Sequence, residues 1–355
     1  MKKIAALLTV CILIIGLSAC GSNGNTNSLS KETESKGEMP LVRVAVLDQQ
    51  TGLAAWYAHE MGWDKEKGFE MELQTYSSGA PANEALGAGI WDVGFVGAAA
   101  VNSIKAYGAY QIGEYFTSAG DINLIVREGS EIMENKGVNE EYPEIYGDAD
   151  SVKGSKIILP VGSGHHICVS QWLKALGLED TDVQIVNMEF AQGYQAFISG
   201  EGDIFACSYP YTDLLLEDGY QKACTMTDIK TPYYDNIVVS KDFYSEENRE
   251  ILVSIIEIIL KAGNHFAEDE DDYVAQCTEY LSLNGKDTSD AEAMRASTLK
   301  SVFLTSEEAK THEVGSSLRV IAEFQVEQGS ITKDDYKVVE EHIVQDIMDS
   351  ALEKF

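Results

Sequence analysis

Glu84-Ala85-Leu86-Gly87-Ala88-Gly89-Ile90-Trp91-Asp92-Val93-Gly94-Phe95-Val96-Gly97 decides the fold of this chain. Pro81 opens a helix that runs to Ala88, since proline suits the first helical turn. Asp92 to Val96 is a strand. Gly97-Ala98-Ala99 is a turn of small residues, and a helix follows from Ala98 to Tyr107. Upstream, Val42 to Leu47 is a strand, Leu53 to Met61 a helix stopped at Gly62, and Glu70 to Thr75 an alternating strand. Downstream, Tyr110 to Phe116 and Ile122 to Val126 are strands. Alternation of this kind implies an α/β sheet with helices on its faces.

Arg127 to Asp150 breaks the rhythm and reads as an acidic surface excursion. The alternation then restarts. Strands are expected at Lys156 to Leu159, Val183 to Asn187, Ile204 to Cys207, Gln221 to Thr225 and Asn236 to Ser240. Helices are expected at His165 to Leu176, Gly193 to Ser199 and Tyr211 to Glu217. The rest reads as helical: Ser245 to Phe266, Asp271 to Leu283, Asp290 to Val302, Ser316 to Glu327 and Lys333 to Glu353. Without sustained heptads these helices pack on the α/β units and form no coiled coil.

The chain begins Met1-Lys2-Lys3. An apolar run from Ile4 to Gly16 follows, then Leu17-Ser18-Ala19-Cys20. That run is too short to span a bilayer comfortably and reads as a secretory signal. The Leu17–Cys20 stretch resembles the bacterial lipobox, which implies cleavage before Cys20 and lipid on its thiol and amine. Gly21 to Pro40 has few apolar residues and reads as a flexible tether. The expected organisation is a signal peptide (1–19), a lipidated tether (20–40), a first lobe (41–126 and 236–355) and a second lobe (127–235).

The formal charge of the 355-residue chain is −32, which excludes the basic face that nucleic acid requires. Four cysteines lie beyond Cys20: Cys168, Cys207, Cys224 and Cys277. None has the paired spacing of a zinc or redox site. Cys207 and Cys224 fall in successive strands and are candidate neighbours, although buried thiols are the favoured reading. Asp269 to Asp272 lacks the glycine and distal glutamate of a calcium loop. No catalytic constellation, cofactor motif or metal set stands out.

Instead the chain offers strand-to-helix turns of small residues, where open α/β sheets bind ligands and helices present free N–H groups. Four matter: Asp48 to Gly52, Ser77 to Pro81, Gly97 to Ala99, and Val161 to His166. They nominate Gln49, Gln50, Thr51, Ser78, Gly79, Gly97, Ala98, Ser163, Gly164, His165 and His166. The alternative for the glutamines is a loop that only caps the next helix. For the histidines it is capping or packing. One of Trp56 and Tyr57 is expected to line the cleft. Tyr209 and Tyr211 are read equally as pocket wall or core.

Gly52 to Trp63, Glu70 to Pro81, the Glu84–Gly97 stretch, Ser151 to Ile157, Ala196 to Ile204 and Tyr209-Pro210-Tyr211 together resemble nitrate/sulfonate/taurine-type binding proteins of ABC transporters. The likeness covers roughly Val42 to Ser240. It implies a two-lobe periplasmic-binding-protein fold of the Venus-flytrap kind, with crossings near Val126 and Asp235 and the ligand between the lobes. It further implies a small-molecule solute, a permease with its ATPase as partners, and an extracytoplasmic, lipid-anchored location. Two departures bear on the solute. Ser208-Tyr209 stands where many relatives have tryptophan and glutamate, and Phe190-Ala191-Gln192 stands where they often have Pro-Ala-Asp. Both suggest a neutral or anionic solute with some apolar body, and Gln192 joins the candidates. The same fold resembles that of thiamine-pyrimidine synthases, so precursor binding or an enzyme is the alternative, and a ligand sensor a third. The isolated cysteines argue against the enzyme.

Overall fold

A computed structural model describes residues 39–355. The signal, most of the tether and Cys20 lie outside these residues. Eleven strands form two mixed sheets among the described residues. They are β1 (Leu41–Leu47), β2 (Glu70–Tyr76), β3 (Val93–Val96), β4 (Tyr110–Thr117), β5 (Asn123–Val126), β6 (Lys156–Leu159), β7 (Gln184–Asn187), β8 (Ile204–Cys207), β9 (Gln221–Thr225), β10 (Asp235–Val239) and β11 (Val302–Phe303). The first sheet runs β11-β4-β10-β3-β1-β2 and the second β7-β6-β8-β5-β9. In the first, β1 is parallel to β2 and β3, as strand–helix–strand crossovers require. In the second, β6 is parallel to β7 and β8. Strands β10 and β5 run antiparallel to their neighbours.

The opening stretch reads close to its structure. The helix there is Gly79–Gly87, two residues earlier than expected, so Pro81 lies in the first turn and does not open it. Proline is tolerated there because first-turn N–H groups have no intrahelical acceptor. Trp91 is fully buried and its Nε1 donates to the Ala82 carbonyl at 2.8 Å, which fixes helix to strand.

Some expectations need correction. The expected boundary at Val126 is too late. β5 pairs with β8 and β9, so the chain has already passed to the second sheet between Thr117 and Asn123. Cys207 and Cys224 are not on adjacent strands, because β5 lies between β8 and β9. Cys207 faces Asn123 and Cys224 faces Leu124 across the ladders, and all four cysteines are free and buried. The Arg127–Asp150 excursion is tied down. Ile132 and Ile145 are buried, Tyr146 N–H donates to the Ala223 carbonyl, and Trp172 Nε1 donates to the Tyr146 carbonyl. The helix expected to run to Val302 ends at Thr298, and β11 follows against β4. The last expected helix is two, Lys333–Glu341 and Asp346–Leu352. Gln111 of β4 splits it, donating its N–H to His342 and accepting from Val344 N–H, both at 2.9 Å.

Glu114 lies in the middle of β4 and is fully buried. Its carboxylate accepts from Ser316 Oγ (2.8 Å), Ser317 N–H (3.0 Å), Leu318 N–H (3.4 Å) and Gln111 Nε2 (3.2 Å), and meets His312 Nε2. It thereby serves the open N-terminus of the Ser316–Glu327 helix, whose own cap residue, Gly315, has no side chain to do so. Glu114→Ala should cost roughly 3–5 kcal/mol, because a buried set of donors loses its acceptor. Urea denaturation checks this, and a loss below about 1 kcal/mol, the worth of one ordinary hydrogen bond, would contradict it.

Candidate functional site

The first three small-residue turns are linked in series, and the third and fourth close on one segment. A side chain starting at Gly79 would collide with Ala99 Cβ at 2.2 Å, so the second and third turns are in contact. One at Gly97 would lie 2.9 Å from Asp235 Oδ1. One at Gly164 would lie 2.6 Å from Tyr233 Oη. Tyr233 and Asp235 belong to the returning strand segment, so the Gly97 turn of the first sheet and the Gly164 turn of the second close on the same stretch of chain. Any Cβ at either turn would push the Asp235 or Tyr233 side chain from its place.

Thr51 sits in the helical turn Gln50–Gly52 and is 8% exposed. Its carbonyl accepts from the buried Tyr115 hydroxyl at 2.9 Å, while its own Oγ1 has no partner among the described residues. Gln49 is exposed and its Nε2 reaches the Ser77 carbonyl at 3.4 Å, linking the first two turns. Gln50 points elsewhere. Its Nε2 donates to Tyr273 Oη at 2.6 Å and to the Thr298 carbonyl at 2.9 Å, so it anchors helices and is withdrawn from the candidates.

Ser78 and Ser163 precede the Gly79–Gly87 and Gly164–Ala175 helices, and neither side chain caps its helix. The Ser163 hydroxyl donates backward to the Pro160 carbonyl at 2.7 Å. Both N-termini therefore keep N–H groups and positive dipole ends for other partners. Ala98 and Ala99 are half-buried beside them.

The two histidines part company. His165 is 8% exposed, packs edge-on against Phe190 at 4.7 Å, and its Nε2 lies 2.7 Å from Ser208 Oγ. Burial pushes it down to about 4, so its ring is neutral at physiological pH and offers an anion no charge. His166 accepts from Gly162 N–H at its Nδ1 (3.2 Å) and lies 3.1 Å from Asp180 at its Nε2. It borders a cavity of about 400 Å³ with Val101, Lys105 and Phe324, which Val161 and Gly162 of the fourth turn also line. Both ring nitrogens of His166 are engaged within the chain.

Tyr209 N–H donates to both oxygens of Asp121 (3.1 and 3.2 Å), and Lys300 Nζ lies 4.9 Å from the centre of its ring. Burial pushes the Asp121 carboxyl up to about 6, with Tyr209 N–H and Lys300 opposing. Tyr211 packs on Tyr194 and Phe190, and Gln192 is exposed on the same helix, Phe190–Ile198. That helix starts three residues before the expected Gly193, which puts Phe190 against His165. Tyr57 is core. It is 5% exposed, stacks on His265, and its hydroxyl is 3.4 Å from Asp272. Trp56 is half-buried and packs against Tyr280 at 5.6 Å.

Sequence reasoning named Asp235 only as a crossing point and did not single out Tyr233. The available signal was an acid opening the strand Asp235-Asn236-Ile237-Val238-Val239. Asp235 is half-buried, and no hydrogen bond or ion pair reaches its carboxylate among the described residues. Burial pushes it from 3.8 up to about 7. A raised folded value means that the unfolded chain ionises first. Stability is therefore lost as pH rises from about 4 to about 7, and no more is lost above that. Asp235→Asn should remove the loss, with a gain of roughly 1–2 kcal/mol above neutral pH once solvent access is discounted. Tyr115 and Tyr233 are the titratable groups facing this acid, and both are held above 10 by burial. Urea melts of the unliganded protein across that range check it. Equal effects of the substitution at the two ends would count against it.

Three comparisons bear on this arrangement. Residues 35–278 match the model of the NMT1-like family. A protein of Brachyspira hyodysenteriae named as an ABC transporter periplasmic binding protein is 33% identical over 352 residues, covering 99% of this chain and 100% of that one. Among solved structures, a sulfonate-binding protein SsuA from Methylobacillus flagellatus superposes with a TM-score of 0.67 at 18% identity, over 89% of this chain and 94% of its own. The nitrate-binding protein NrtA from Synechocystis does so with 0.59 at 12% identity, over 90% and 89%. Those two share its periplasmic-binding-protein fold. By its family match over most of its length and its full-length relative, this chain belongs to the NMT1-like family.

Proposed function

We propose that this protein is the solute-binding component of an ABC importer, and that it captures a small organic solute between its two sheets and delivers it to a permease and its ATPase. One observation carries the reading: the Gly97 and Gly164 turns, one from each sheet, close on Tyr233 and Asp235. A molecule lodged there touches both halves of the chain, so its binding energy favours their closure. The open N-termini of the Gly79–Gly87 and Gly164–Ala175 helices suit a sulfonate, carboxylate or similar acceptor group. The names of the relatives make sulfonates and nitrate the first solutes to test, with taurine and aminopyrimidines beside them. The site set is Gln49, Thr51, Ser78, Gly79, Gly97, Ala98, Ser163, Gly164, His165 and Tyr209, with Tyr233 and Asp235 added. Binding without turnover is the expected behaviour, in keeping with the binding-protein names of the relatives.

Ser163→Phe and Ser78→Phe should each weaken binding at least tenfold without unfolding the protein, because either ring fills the space between the turns. Titration calorimetry on the detergent-solubilised full chain measures this. A solute that binds both variants as tightly as the parent places the site elsewhere.

Residues 1–20 support export and anchoring: a basic start, one apolar run and the Leu17-Ser18-Ala19-Cys20 sequence. A single acyl chain holds a protein only weakly, so stable attachment needs more than one. Cys20→Ala should release the protein from the membrane or leave it uncleaved. Mass spectrometry of the mature N-terminus decides the matter, and an unlipidated terminus elsewhere would rule the anchor out.

A further inference from the structure

Asp235 is an acid that the fold itself does not use. The other enclosed carboxylates are engaged. Glu114 receives the Ser316–Glu327 helix. Asp64 accepts from Met71 N–H and Lys65 N–H, both at 2.8 Å, and meets His59. Asp92 takes the Arg43 guanidinium and the Arg43 N–H. Asp121 accepts from Tyr209 N–H. Such engagement is the rule, because an enclosed polar group without a partner is costly.

Asp235 differs: its half-buried carboxylate has no partner in the protein among the described residues and stays open to solvent. Its backbone pairs with β4 opposite Phe116, one residue before β10 also joins β3. Its Oδ1 lies where any side chain at residue 97 would begin. Two more unspent groups stand nearby. Thr51 Oγ1 is buried without a partner, on a residue whose carbonyl is held by Tyr115, and the Tyr115 hydroxyl feels the Asp235 charge. Tyr233, two residues before Asp235, presses on Gly164, and no hydrogen bond from its hydroxyl occurs among the described residues. Asp235 and Tyr233 stand at the two glycine turns with no partner in the protein among the described residues, and the buried Thr51 Oγ1 is tied to the same region through Tyr115, which together amount to a prepared recognition surface.

We propose that Asp235 determines specificity in the cleft by receiving a positively charged or N–H-donating nitrogen of the solute, so that the solute is an amine-bearing small molecule and not a simple anion. This rests on the cleft reading of the preceding section and narrows it. The nitrogen donates to the carboxylate in a charge-assisted bond, and the acceptor end of the same molecule faces the helix N-termini. A nitrate or a plain alkyl sulfonate brings this carboxylate no N–H donor.

Matched probes test this on the detergent-solubilised full chain by calorimetry and thermal shift. The pairs are taurine with ethanesulfonate and aminopyrimidine with pyrimidine, and nitrate is tested alone. The parent should bind at least one aminated member tenfold or more tighter than its amine-free partner. Asp235→Asn should erase that preference while leaving the amine-free partner no weaker. The comparison on the parent requires no variant, and the melting curves report whether Asp235→Asn is folded. The proposal is overturned if the parent binds ethanesulfonate, pyrimidine or nitrate as tightly as the aminated probes. It is equally overturned if Asp235→Asn keeps the preference, or if no aminated probe binds at about 10 mM, above the millimolar affinity of a weak ligand. Ser163→Phe separates the two levels. If it abolishes the binding of an amine-free probe, the cleft stands and only the role of Asp235 falls. If binding survives in Ser163→Phe, the cleft reading itself falls.

Discussion

A carboxylate buried in the middle of a sheet is tolerable only when its surroundings are arranged for it, and Glu114 shows how far that arrangement reaches. The acid lies on β4, one of the central strands, and gathers two serine residues, a histidine, a glutamine and a helix N-terminus. Apart from the neighbouring Gln111, these partners come from about two hundred positions downstream. The last third of the chain, whose helical patterns carry no information about where they dock, is thereby placed on the first sheet. Hydrophobic packing supplies most of the free energy, through the ten buried residues of the Arg249–Glu268 helix among others. It is non-directional, and the directional part comes from Glu114 and from Gln111, which breaks the terminal helix by pairing with it.

The candidate site depends on the opposite device, the absence of side chains. Gly79, Gly97 and Gly164 let turns approach a neighbouring turn, a carboxylate and a phenol more closely than any Cβ would allow. What those glycines vacate, the returning segment Tyr233–Asp235 occupies. The polar groups gathered there are held in position by backbone ladders and by Tyr115, so they need little reorganisation when a solute arrives.

The fold class was legible because strand–helix alternation is a local property, and stretches such as Ile204–Cys207, Tyr211–Glu217 and Gln221–Thr225 coincide with their sequence reading. The four turns were legible for the same reason. Which side chains of those turns face a solute was not. Gln49 and Gln50 are neighbours of one chemistry, yet Gln50 is consumed by Tyr273 and Thr298, over two hundred residues away. His165 and His166 meet different partners, Ser208 and Asp180, because consecutive helical residues diverge by about 100°. Tyr57 was lost to the core through partners on the C-terminal helices. The passage to the second sheet was placed too late because β5 pairs with strands that come long after it. Asp235 was missed because its meaning lies in the lack of a partner, which only the folded chain reveals.

The Ser316–Glu327 helix also has a far end. Pinned to the first sheet at Glu114, it touches the elements of the second through Phe324 against His166, Glu327 with Lys174, and Gln328 with Asp180. Any rotation of one sheet against the other must part these contacts, of which the exposed ion pair contributes about 0.2–1 kcal/mol and is weakened by salt. The helix is therefore a strut between the two sheets, and surface residues far from the turns, together with ionic strength, set how firmly it holds them.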